Sequence, residues 1–176
     1  MTISKNTYWR EKLNEILVTE VAINQGSISA DGAVVNWLAG VVHSRYIGLV
    51  REGVRIKMLD RINLRAKWPT GKPQHFADGQ HVIATIPAEA VRLEAGMFRR
   101  SRQRWNRWIG RIVLIEHREP GLLYTVKVHR EEWTLKSLGP VLGAEQPSKP
   151  WDIVNVVIDP QAVEVSIANP YLMRLT

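Results

Sequence analysis

The chain has 176 residues, of which 45% are apolar and 23% charged, a balance typical of a folded globular domain and not of a disordered, collagenous or coiled-coil chain. It contains no cysteine, which excludes disulfide bonds, zinc–cysteine sites and thiol catalysis. Its 24 lysine and arginine residues against 17 aspartate and glutamate residues give a formal net charge of +7, which favours anionic partners.

Residues 1–35 are predicted to form a short N-terminal helix followed by a β-hairpin extension. Within residues 8–19, Trp9 and Leu13 belong to one apolar helical stripe, and residues 21–35 are typical of a hairpin. The first residues lack the apolar core of a secretory signal, and no apolar run approaches the roughly 20 residues that span a bilayer. We therefore expect a cytoplasmic protein without membrane insertion.

Two segments of the chain begin with the same motif. Asn36 is followed four residues later by Gly40, and both are followed by an apolar run. The same asparagine and glycine recur 70 residues later, as Asn106 and Gly110. This recurrence indicates an internal repeat.

The two segments also end alike. Residues 86–93 contain an isoleucine, a proline and a valine in the same order as residues 158–165, which lie 72 residues further on. Because both ends match in the same order, residues 36–95 and 106–168 are predicted to be two copies of one unit. Residues 96–105 form a basic connector between them.

Each unit is predicted to consist of about five short strands, because apolar residues alternate with polar ones between turn-forming segments. The predicted strands are residues 40–47, 54–58, 62–66, 82–86 and 90–93 in the first unit, and 111–117, 123–128, 133–138, 153–158 and 163–167 in the second. This number of strands in so short a segment is that of a small OB-type barrel. The predicted fold is therefore mainly β, with two small five-stranded OB-like barrels in tandem, preceded by the N-terminal helix and followed by a C-terminal tail, residues 169–176.

Both units resemble TOBE domains, the transport-associated OB modules, in which each copy opens with asparagine and, four residues later, glycine. The matching positions are Asn36 with Gly40 and Asn106 with Gly110, and the closing turns also match. The resemblance implies a non-enzymatic ligand-binding or regulatory module of an ABC transport system, with an ATPase or permease component as partner. Tandem modules of this family also bind molybdate or tungstate, so the resemblance implies a small oxyanion as ligand.

The chain departs from the family in two respects. It contains no phosphate-binding loop of the Gly-x-x-x-x-Gly-Lys-Ser/Thr type, so no such nucleotide site is expected. The oxyanion-binding relatives open with Ser-Ala-Arg-Asn, whereas Ala33, Val34 and Val35 precede Asn36 here.

An oxyanion site would use backbone amides and short polar side chains near the unit openings. The same residues could also be ordinary members of strand edges. The candidates are Asn36, Gly40, Ser44, Asn106, Gly110, Thr134, Lys136 and Ser137.

Arginine and aromatic residues in and after the connector support an alternative function, OB-type nucleic-acid binding. In the other interpretation of these residues, the tryptophans pack the two units together and the arginines are solvated. The residues in question are Arg99, Arg100, Arg102, Arg104, Trp105, Arg107 and Trp108.

The sequence supports neither catalysis nor a metal site. Its five histidines lack the spacing of zinc ligands, and no nucleophile elbow is present. We therefore expect no catalytic residue, no metal and no cofactor. A purely structural interaction module and a homo-oligomer both remain open.

Overall fold

A computed structural model of the chain describes residues 27–28, 33–47, 52–57, 63–67, 76–96, 106–128 and 133–167. The predicted helix, the C-terminal tail and nearly all of the connector lie outside these residues. No α-helix occurs in the described ranges, and therefore none that is long and apolar enough to cross a membrane. The prediction of a mainly β fold is confirmed.

The strands of the described residues form two sheets. The first sheet contains β1 (Ser27–Ile28), β2 (Val34–Ile47), β3 (Glu52–Lys57), β4 (Asn63–Lys67), β5 (His81–Pro87) and β12 (Glu164–Ile167). The second contains β6 (Val91–Glu94), β7 (Asn106–Arg118), β8 (Gly121–Val128), β9 (Trp133–Leu138), β10 (Val141–Leu142) and β11 (Ile153–Ile158). Single turns of 3₁₀ helix, Ala88–Ala90 and Pro160–Ala162, connect β5 to β6 and β11 to β12.

The first long strand of each unit pairs with a different neighbour along each of its halves. In β2 the residues up to Val41 pair with β5, and those from Val41 onward pair with β3. In β7 the first half pairs with β11 and the second half with β8. Each strand contains an irregularity in register, between Val42 and Ser44 and between Ile112 and Leu114. Since such bulges bend a strand and increase its twist, they allow each sheet to curl into an OB-like unit.

The last strand of each repeat pairs in the sheet of the other repeat. β6 ends the first repeat but lies antiparallel to β11 of the second, with Val91 opposite Ile158. β12 ends the second repeat but lies antiparallel to β5 of the first, with Glu164 opposite Thr85. The sequence repeats and the sheets therefore do not coincide, because each unit is completed by a strand from its neighbour.

The two sheets share one apolar core. Its fully buried members come from both units and include Leu38, Ile56, Leu64, Ile86, Leu93, Ile112, Leu135 and Ile158. A smaller cluster brings Val34 and Ala88 of the first repeat against Leu123 of the second. Since a unit of this size buries little apolar area by itself, the shared core makes each unit depend on the other.

We expect a fragment of residues 1–100 to be unfolded by itself, because β6 loses β11 and β5 loses β12. Mixed with a fragment of residues 101–176, it should regain the circular dichroism spectrum and the cooperative thermal transition of the intact chain. Cooperative melting of either fragment alone, measured by the same method, would contradict the mutual dependence of the units.

Candidate functional site

The two opening asparagines connect the units. Asn36 is 1% exposed and reaches the backbone of Lys136 in β9, accepting from its N–H at 2.6 Å and donating to its C=O at 2.9 Å. Asn106 is 4% exposed and contacts Arg65 in β4 in the same way, at 2.7 and 2.8 Å. Each side-chain amide therefore binds an edge strand of the opposite unit, where backbone groups would otherwise lack partners.

These contacts occupy the side-chain donors of Asn36. Its Nδ2 also donates to the carbonyl of Ile86 at 3.2 Å, so both amide protons have a backbone acceptor. An anion would find no free side-chain proton on this residue. The contacts of Asn36 and Asn106 are those of a buried connection between strands.

The glycines of the opening motif lie inside paired strands of different sheets. Gly40 lies opposite Val82 in β5, and Gly110 lies between Val154 and Val128. A Cβ on Gly110 would approach Val126 Cγ1 at 2.5 Å, so the glycine allows the core to pack directly against the backbone. The backbone of Gly110 is therefore covered on both sides.

The other oxyanion candidates differ in how accessible they are. Ser137 is buried and donates its hydroxyl to the carbonyl of Val91. The Nζ of Lys136 donates to Thr125 Oγ1 at 2.7 Å and pairs with Glu116 Oε2 at 3.3 Å. Thr134 is half-buried on the same strand. Ser44 lies in β2 after the bulge, and its side chain is not among those described.

The residues of the nucleic-acid alternative are only partly described, because Arg99, Arg100, Arg102, Arg104 and Trp105 lie outside the described ranges. Arg107 pairs with Glu94 at 3.0 Å. Trp108 packs edge-on against Trp133, with ring centroids 5.5 Å apart. The guanidinium of Arg107 is therefore paired within the chain, and the ring of Trp108 contacts a buried aromatic residue.

The outer face of β3 and β4 contains cationic residues that sequence reasoning missed as a site. Arg55 lies directly opposite Arg65, and both side chains are half-buried. Lys67 is exposed and lies two residues after Arg65 in β4, on the same face of the sheet. The alternation of Arg55 and Arg65 with apolar residues was visible in the sequence, but their pairing depends on the strand register.

A shallow groove of about 630 Å³ lies where β8 and β9 meet the loop that follows them. Its lining includes Leu122, Tyr124, Leu138, Val141 and Glu89. Burial raises the pKa of the Tyr124 hydroxyl above its usual value of 10.0. None of the predicted site residues lines this groove.

We expect Tyr124 to ionise after the other three tyrosines in an ultraviolet absorbance titration. Because the folded state holds the phenolic proton more tightly, its contribution to the free energy of unfolding is complete below pH 10 and is lost as the pH rises above that value. Tyr124→Phe should remove both the late ionisation and this part of the alkaline decline. Ionisation of Tyr124 at the usual tyrosine pKa would contradict its burial.

The described residues bring together no group of three or more histidine, aspartate or glutamate side chains that could hold a metal ion. No protein-family model matches the sequence. No curated protein matches it either.

Among solved structures, the chain is similar to the cytoplasmic molybdate-binding protein ModG, crystallised with molybdate bound. The two are 23% identical, the match covers 76% of this chain and 96% of that chain, and the TM-score is 0.61. The likeness shows the fold. It confirms two OB-like units in tandem, in agreement with the two six-stranded sheets.

Proposed function

We propose that the chain is a non-enzymatic oxyanion-binding protein with molybdate as its ligand. The observation that carries the proposal is the likeness to the molybdate-binding protein ModG, which extends over 96% of that chain and so is not confined to one unit. The net charge of +7 also supports the proposal, since a cationic surface raises the local concentration of anions.

The contacts of the candidate residues divide them into two groups. Asn36, Asn106 and Ser137 are buried and bonded to backbone atoms, and the proposal assigns them to holding the units together. Thr134 and Lys136 are half-buried on β9 and accessible in part, but the ammonium of Lys136 is already bound to Thr125 and Glu116, so the proposal does not assign the main anion contacts to β9.

Isothermal titration calorimetry with molybdate, at moderate chloride concentration, tests this function. We expect saturable heat and a rise in melting temperature with molybdate concentration, because a ligand that binds only the native state stabilises it. Sulfate in a parallel titration shows whether the site distinguishes between tetrahedral anions. The absence of both heat and a melting shift at millimolar molybdate would exclude molybdate as the ligand.

We further propose a cytoplasmic role beside an ABC transport system, which the resemblance of the repeat motifs to TOBE domains supports. Affinity purification of the tagged chain, with and without molybdate, should recover an ABC ATPase or permease. Recovery of neither would contradict the proposed transport role, but it would not contradict the proposal that the chain binds molybdate.

A further inference from the structure

Arg55 and Arg65 lie side by side on the outer face of the first unit. The buried residues Ile56, Leu64 and Ala66 alternate with them along β3 and β4, so the two arginines project from the opposite face of the sheet. Their direct pairing in the antiparallel register brings their Cβ atoms to within about 5 Å of each other. Two cations in this position repel each other.

Neither charge is balanced within the described part of the chain. No described residue makes a hydrogen bond or an ion pair with the guanidinium of Arg55 or Arg65. Both side chains are half-buried, so water screens their repulsion less than it would on an open surface. Lys67 adds a third positive charge to the same face.

At the equivalent position of the second unit, the positive charge has partners. Thr125 and Lys136 occupy the places that Arg55 and Arg65 occupy in the first unit, 70 and 71 residues earlier. There the single cation, Lys136, is bound by the hydroxyl of Thr125 and the carboxylate of Glu116.

The first unit replaces each partner of that cation. An arginine stands where the second unit has its threonine, and Tyr46 stands where it has Glu116. At these three equivalent positions the first unit therefore has two arginines and a tyrosine, where the second unit has a lysine, a threonine and a glutamate.

The backbone at this position is fixed. Asn106 holds both the N–H and the C=O of Arg65, at 2.7 and 2.8 Å. This contact holds the backbone of Arg65 in the edge strand β4. The Cα from which the Arg65 side chain extends is therefore positioned before a ligand binds.

We propose that Arg55 and Arg65 bind one tetrahedral oxyanion between their guanidinium groups, on the outer face of β3 and β4. The planar donors of arginine match the oxygens of such an anion, and a doubly negative ion supplies the charge that the second unit obtains from Glu116. This inference rests on the proposed function and specifies where the oxyanion binds.

The test compares Arg55→Thr, which introduces the residue found at the equivalent position, and Arg65→Gln with the wild-type chain. The full chain is titrated calorimetrically with sodium molybdate and, separately, with inorganic phosphate. Whichever of the two anions the wild type binds, each variant should bind that anion at least tenfold more weakly than the wild type does. Without anion, Arg55→Thr should melt at the wild-type temperature or above it, because the repulsion is removed.

The matched control is Arg92→Thr, which removes the same charge from an exposed strand position in the second sheet. Its anion affinity should stay within about twofold of the wild type, since Arg92 lies in the other sheet and acts on this site only through long-range charge. An equal loss in Arg92→Thr would overturn the proposal, because general charge would then explain the effect.

The remaining outcomes separate the site from the function. If the wild type and both arginine variants bind molybdate equally, this site is wrong and the proposed function stands. If the wild type binds phosphate but not molybdate and loses phosphate in both variants, the site stands and molybdate is excluded. If the wild type binds neither anion, both proposals are overturned.

Discussion

Replacing either Asn36 or Asn106 by alanine should lower the free energy of unfolding by roughly 2–4 kcal/mol. The alanine removes at least two part-buried hydrogen bonds and leaves the backbone N–H and C=O of the opposite edge strand without partners. Chemical denaturation followed by tryptophan fluorescence measures the loss. Because small proteins have only about 5–15 kcal/mol of stability, the double variant should lose a large part of it.

The matched control is Asn63→Ala, in β4 two residues before Arg65. Asn63 is exposed, and its replacement should change stability by less than about 0.5 kcal/mol. If Asn36→Ala and Asn106→Ala are as mild as this control, the contacts between the units do not stabilise the fold. The asparagines would then again be candidates for ligand binding.

Gly110→Ala should destabilise the chain by roughly 2–3 kcal/mol, because the new methyl group has no space. It would lie 2.5 Å from Val126 Cγ1 and 2.8 Å from Val156 Cγ2, both inside the packed core. Thermal and urea unfolding measure this loss.

Gly121→Ala serves as the control for Gly110→Ala, since a Cβ at Gly121 meets nothing within 4 Å and its stability should stay near that of the wild type. Val126→Ala should relieve the collision caused by Gly110→Ala. The double variant should therefore lose less stability than the sum of the losses of the two single variants. Strict additivity would show that the methyl group and Val126 do not collide.

Strand positions could be predicted from the sequence because alternation identifies a half-buried strand wherever it pairs. Residues 133–138 and 153–158 are strands in the structure over the same bounds. The exchange of β6 and β12 could not be predicted in this way, since an alternating pattern is the same whichever sheet the strand joins.

The candidate site was less predictable than the fold. The repeat identified Asn36 and Asn106 as distinctive, but an amide that binds an anion and an amide that binds a backbone look alike in sequence. The pairing of Arg55 with Arg65 depends on the register of two strands joined by a loop, which alternation alone does not determine.

The exchange of strands has a consequence for how the two halves of the chain can differ. In its topology the chain resembles a strand-exchanged dimer whose two subunits are joined in one polypeptide. Fusion makes the pairing intramolecular, so it no longer depends on protein concentration. In a symmetric dimer every substitution appears twice, whereas fused copies can change one at a time. One half can therefore keep Lys136 paired with Glu116, while the other half has Arg55 and Arg65 at the equivalent place. The two halves share a fold, but only one of them has this cationic face.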